Sequence, residues 1–209
     1  MSDYTAELGD VYGAQSPAEI QKIYDQWSSR YDADNISRGF RLPALGAGLL
    51  AQHLGRTNGP ILDAGCGTGL VAETLNLMGY GPITGCDISA EMIAEARKTG
   101  AYANFAQADM GAALPFEDDS FAGFVCVGSF GPGHAPPSTL EHLARVTRPD
   151  GYGVFNVIEA TYQDQGFPQV IDRLTDTGQW EIIYQSPRFL PFLLGEPELW
   201  SHAYVVKIL

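Results

Sequence analysis

Ile61-Leu62-Asp63-Ala64-Gly65-Cys66-Gly67-Thr68-Gly69 is the stretch on which the fold of this 209-residue chain turns. A short apolar strand runs into glycines at alternate positions, and a helical pattern over residues 70–78 follows, ending at Gly79 as a left-handed cap. Glycine reaches backbone torsions that other residues resist and lets the main chain approach a ligand closely. The helix behind the loop offers unbonded N–H groups at its start.

The same alternation continues on the C-terminal side. Strands are expected over residues 60–63, 83–87, 102–108, 121–130, 153–158, 181–186 and 203–209. Helices are expected between them: one capped by Ser89 and ending near Gly100, one opened by a capping box from Ser138 to Glu141, and one over residues 168–177. Residues 121–130 form a nearly continuous apolar run, as in a strand buried on both faces. Arg148-Pro149-Asp150-Gly151 reads as a turn with proline in its second position.

On the N-terminal side, Ser16-Pro17-Ala18-Glu19 is a capping box with proline at the first helical position. The helix it opens carries Ile20, Ile23, Tyr24, Trp27 and Tyr31 as one stripe. A second helix over residues 42–54 leads to the turn Arg56-Thr57-Asn58-Gly59. The pattern predicts an α/β chain with a doubly wound, mostly parallel seven-stranded sheet. Residues 1–58 would form an N-terminal helical cap of the same domain, and residues 59–209 its core. Ligands of such sheets sit beyond the carboxyl ends of the strands, at the switch point.

Two cofactors compete for the glycine loop. The dinucleotide fingerprint G-x-G-x-x-G/A needs a small third residue where this chain has Leu70, and its third glycine comes one position early, at Gly69. Asp63 stands just ahead of the glycines, where a carboxylate repels a pyrophosphate but suits the ammonium and sulfonium of S-adenosylmethionine (SAM). Asp87 closes the second strand, the place of an acid that accepts hydrogen bonds from ribose hydroxyls, and suits either cofactor. Asp109 closes the third strand and, from the residues alone, reads as a strand-end acid in an Asx turn.

Charge narrows the acceptor. Twelve Lys and Arg face 25 Asp and Glu, a formal charge of −13, with no basic run to neutralise phosphates. Nucleic acid and anionic membrane surfaces are therefore not expected partners; a small-molecule substrate is. Cys66, Cys86 and Cys126 are odd in number, widely spaced and without metal-ligand pattern, so no metal is expected. The first residues show no secretory segment, and a reducing cytoplasm fits best.

From Ile61 to Val157 the order of these features resembles the class I SAM-dependent methyltransferases, whose signature D-x-G-x-G-x-G is matched by Asp63 to Gly69. Leu143 to Gly151 is similar to the family's L-x-R-x-L-K-P-G-G, with Asp150 in place of a glycine. Tyr24-Asp25-Gln26-Trp27-Ser28-Ser29-Arg30-Tyr31-Asp32 looks like the element Y-D-x-W-A-x-x-Y-D of the Williams–Beuren syndrome region methyltransferase-like proteins. The resemblance implies a Rossmann-like fold, SAM as cofactor and S-adenosylhomocysteine as product. It implies cofactor contacts at Asp63, Gly65, Cys66, Gly67, Gly69, Asp87, Ile88, Asp109, Met110 and Val127, with Tyr24 and Tyr31 at the methionine end. The alternative for the two tyrosines is plain helix-to-sheet packing.

Methyl transfer from a sulfonium is an in-line displacement, governed by positioning and exclusion of water. A base is needed only where the attacking atom carries a proton at neutral pH. After strand four this chain has Gly128-Ser129-Phe130-Gly131 where adenine- and glutamine-modifying enzymes carry N/D-P-P-Y/F/W. His134, in the same loop, is the candidate base, or else a solvated or capping histidine. Glu159, Thr161 and Tyr162 are expected in a loop facing the acceptor. Residues 189–194 would line an apolar pocket, cover the core or form a dimer surface. The readings set beside methyl transfer are an NAD-dependent oxidoreductase and a non-catalytic SAM-binding protein.

Overall fold

A computed structural model describes residues 6–14, 16–56, 59–194 and 198–209. The chain opens with α1 (Ala6–Gly13), α2 (Pro17–Trp27), α3 (Tyr31–Ile36) and α4 (Leu42–His53). Ser16 caps α2 by accepting the Glu19 N–H at 3.3 Å, as its sequence predicts. The stripe does not run on to Tyr31 in one helix. The chain leaves α2 after Trp27, and Tyr31 opens α3. Thr57 and Asn58 of the expected turn lie outside the described residues.

The core follows as β1 (Ile61–Ala64), α5 (Leu70–Leu77), β2 (Ile83–Asp87), α6 (Ala90–Lys98), β3 (Asn104–Gln107), β4 (Phe121–Cys126), α7 (Thr139–Val146), β5 (Thr147–Ile158), α8 (Glu159–Asp164), α9 (Phe167–Asp176), β6 (Trp180–Gln185) and β7 (Ser201–Ile208). The sheet order is β3-β2-β1-β4-β5-β7-β6. Strands β1 to β5 pair in parallel, while β7 lies antiparallel between β5 and β6. The order reverses beside β1, which sets a crevice between the carboxyl ends of β1 and β4.

Alternation along each strand feeds two cores. Leu62, Phe124, Phe155 and Tyr204 point to one face, under Leu143 of α7 and Leu174 of α9. Ile61, Val125, Val154 and Val205 point to the other, under Leu50 of α4 and Leu75 of α5. Successive residues of β1, β4, β5 and β7 are thus buried on both sides, which is why they read as unbroken apolar runs.

Several local expectations are corrected. The Arg148–Gly151 turn is a bulge inside β5: the register shifts opposite Phe121 and Gly123, and Asp150 takes a left-handed φ of 61°. β4 stops at Cys126, four residues early, because Gly128 turns the chain at φ 76°. Ser138 is already helical and makes no side-chain cap. Glu159, Thr161 and Tyr162 belong to helix α8 rather than a loop.

Candidate functional site

Each parallel strand delivers its motif to one crest. At the end of β1 the loop bends over β2, and the Gly65 and Cys66 N–H groups both donate to the Cys86 carbonyl, at 2.8 and 2.9 Å. The three loop glycines do different work. A Cβ on Gly65 would stand 2.2 Å from Ser129 Oγ. Gly67, at φ 52°, turns its N–H onto Asp87 Oδ2 at 2.9 Å. Gly69 begins α5 at φ 104° and packs against Thr99 and Tyr102 of the neighbouring layer.

Asp87 is fixed twice, since its Oδ1 accepts the Ser89 N–H at 2.9 Å. Burial raises this carboxyl above its ordinary value, and backbone donors from Ser89, Gly67 and Ile88 oppose that rise. At the end of β3, Asp109 Oδ1 accepts the Gly111 N–H at 2.8 Å, an Asx turn. The Met110 carbonyl takes the Thr139 hydroxyl at 2.8 Å. At the end of β4 the Gly128 N–H donates to Asn156 Oδ1 at 2.8 Å.

Between these ends lies a cavity of about 360 Å³. Gly65, Gly67, Asp87, Ile88, Asp109, Met110 and Val127 line it from the sheet side. Tyr24 and Tyr31 close it from the N-terminal helices, with His134 beside them. No lysine or arginine is on its wall among the described residues. The volume is within the ordinary range for a cofactor-sized ligand. Acids without cations suit a positively charged one, and glycines where a Cβ would collide suit close backbone approach, so the residues present fit SAM.

Asp63, Cys66 and Gly69 stand behind that wall. Asp63 is buried and accepts the Tyr102 hydroxyl at 2.7 Å, and burial pushes its carboxyl up to about 7. Burial likewise pushes the Cys66 thiol well up, leaving little thiolate. The two acids of the N-terminal motif do unexpected work. Asp25 accepts the Ser89 hydroxyl at 2.5 Å, and Asp32 accepts the Thr68 hydroxyl at 2.5 Å. Each ties the helical segment to a ligand loop. Their place directly after Tyr24 and Tyr31 was the available signal.

His134 bridges two groups. Its Nδ1 meets the Pro132 carbonyl at 2.9 Å, which only accepts, so Nδ1 carries the proton. Nε2 therefore accepts from the Tyr24 hydroxyl at 2.8 Å. Burial lowers the histidine from its ordinary value and raises Tyr24 well above its own, so both are neutral at pH 7.

The sequence pattern described as "Methyltransferase domain" matches residues 61–151, the span from β1 into β5. Methyltransferase-like protein 27 of Homo sapiens is 30% identical over 197 residues, covering 90% of this chain and 78% of that protein. Ubiquinone/menaquinone biosynthesis C-methyltransferase UbiE of Bdellovibrio bacteriovorus is 33% identical over 144 residues, covering 65% of this chain and 60% of its own. The structure of DhpI in complex with S-adenosylhomocysteine shares the fold at a TM-score of 0.61 and 21% identity, over 96% of this chain and 98% of that one. With an acid-lined crest that carries no lysine or arginine among the described residues, and a relative 30% identical over 90% of this chain, the chain belongs to the class I SAM-dependent methyltransferases.

Proposed function

We propose that the protein methylates a small-molecule acceptor, with SAM held in the crest cavity. The observation that carries this reading is the convergence of Gly65, Gly67, Asp87 and Asp109 on one cavity that, among the described residues, presents no lysine or arginine. Asp87 takes the ribose hydroxyls, Asp109 and Met110 the adenine, and Tyr24 and Tyr31 close over the methionine end. SAM, when bound, supplies an electrophilic methyl group. Asp25 and Asp32 act as positioning residues by holding the tyrosine-bearing helices onto the loops. Of the residues up to 58, α2 and α3 thus serve as the cap over the crest, while α4 packs into the core beside α5.

Where the acceptor is a hydroxyl, its proton passes to Tyr24 Oη as the tyrosine's own proton moves to His134 Nε2. The imidazolium so formed keeps its Nδ1–H on the Pro132 carbonyl. A small acceptor agrees with the charge of −13, which disfavours nucleic acid and anionic membranes. The relative named for quinone biosynthesis supports it too. The three free, buried cysteines support a cytoplasmic site of action, and among the described residues no helix is long and apolar enough to cross a membrane.

Calorimetry with S-adenosylhomocysteine and with NAD tests the donor, and labelled SAM with a panel of neutral metabolites tests the acceptor. Binding of NAD in place of S-adenosylhomocysteine would overturn the assignment. Labelled nucleic acid with no labelled metabolite would overturn the small-molecule acceptor. His134→Gln should lower kcat by about 10²–10⁴-fold for hydroxyl acceptors with little change in S-adenosylhomocysteine affinity, the range expected of a lost acid–base group.

A further inference from the structure

A second chamber, of about 50 Å³, adjoins the first and shares Tyr24, Tyr31, Gly128 and His134 with it. Its far side is built from Phe40 before α4 and from the segment between β6 and β7. Phe40 and Phe192 stack there, with ring centres 4.8 Å apart and planes inclined by 19°. That segment is strapped to the turn before α4. The Arg41 N–H donates to the Pro191 carbonyl at 2.9 Å, the Arg41 side chain to Leu190, and the Leu193 and Leu194 N–H groups to the Arg38 carbonyl at 3.0 Å. Of residues 189–194, Pro191 and Phe192 therefore close this chamber.

Among the described residues the lining carries no Asp, Glu, Lys or Arg. Its two amides differ. Asn156 is satisfied, accepting from Gly128 and donating to Ser201 Oγ at 2.9 Å. Asn35, only 1% exposed, donates Nδ2 to the Tyr31 carbonyl at 2.7 Å. That carbonyl demands a donor, which fixes the orientation of the amide. Asn35 Oδ1 is left buried with no hydrogen-bond partner. Buried acceptors are paired as a rule, and one left over beside a cavity marks a place for a ligand's donor.

We propose that this chamber takes the reacting head of the methyl acceptor, and that the head is neutral, largely apolar and carries one O–H or N–H that Asn35 Oδ1 accepts. The proposal rests on the methyltransferase reading above and adds the substrate class to it. Among the described residues the lining offers no counter-charge to a carboxylate, phosphate or ammonium, and burying a charge the protein does not pair is costly. The space equals roughly four waters, so the edge of a ring enters rather than a whole molecule.

The test uses the full chain saturated with S-adenosylhomocysteine, with phenol, toluene and benzoate titrated by chemical-shift changes at the Gly131 backbone amide and the Asn156 side chain, both of residues that line the chamber. Phenol should bind at least fivefold tighter than toluene, and benzoate should not bind. Asn35→Leu should erase the preference for phenol. Phe192→Trp, which fills the chamber from its lid, should abolish phenol binding while S-adenosylhomocysteine affinity stays within threefold. Failure of S-adenosylhomocysteine to bind the unaltered protein would sink the donor site itself. Its retention with benzoate binding as well as phenol, with phenol binding surviving Phe192→Trp, or with the phenol preference surviving Asn35→Leu, would sink the chamber alone.

Discussion

Asp63 and Asp87 both end parallel strands, yet their surroundings assign them different work. Asp63 keeps its proton up to about pH 7 when folded, whereas an exposed aspartate loses it near 4. Between those values the folded chain binds more protons than the unfolded one, so this residue lowers stability as pH rises from about 4 to about 7. Asp63→Asn, which can still accept from Tyr102, should remove that slope, on the order of 4 kcal/mol at pH 7.5. Urea unfolding at pH 4.5 and 7.5 checks it; an unchanged slope would refute it. Asp87→Ala should weaken S-adenosylhomocysteine by about 1–3 kcal/mol through lost charge-assisted bonds, read by calorimetry. The residues on the cavity wall were legible because a strand end announces itself in sequence. The burial of Asp63 was not, since it depends on Tyr102, far away in the chain and joined to it only by the fold.

Among the elements, the glycine loop tolerates least. Gly65→Ala would place a methyl against Ser129 at a left-handed φ of 70°. A thermal melt should show a loss of roughly 1–3 kcal/mol, the usual cost of such strain. The N-terminal helices are held differently, through Asp25 to Ser89 and Asp32 to Thr68. The double variant Asp25→Ala/Asp32→Ala should release them: limited proteolysis should cut within residues 6–40 faster, and the unaltered protein's rate would argue against the two ties. The β–α alternation from Ile61 to Asp87 reads directly, because strand and helix periods differ and each helix has a cap. Pro149 misleads, as proline and glycine mark a turn and a bulge equally well; pairing with Phe121 and Gly123 decides for the bulge. The break between α2 and α3 is hidden, since Tyr31 continues the apolar spacing through it.

For the molecule as a whole, a ligand that binds only the folded state raises its melting temperature. S-adenosylhomocysteine at a hundred times its Kd should add about 2.7 kcal/mol, or roughly 5–11 °C for a chain of this size, while NAD should add nothing. Scanning calorimetry reads both. The seven strands and their order of appearance were visible in the sequence, but the reversal of β7 was not: a strand's burial pattern is the same in either direction. Tyr24 and Tyr31 stand as a party wall between two rooms. Whatever rotates those rings for one guest alters the space left to the other. Occupancy of the two is then thermodynamically linked, and if nucleoside binding tightens the hold on the acceptor by some factor, the acceptor must tighten the nucleoside's equilibrium affinity by the same factor.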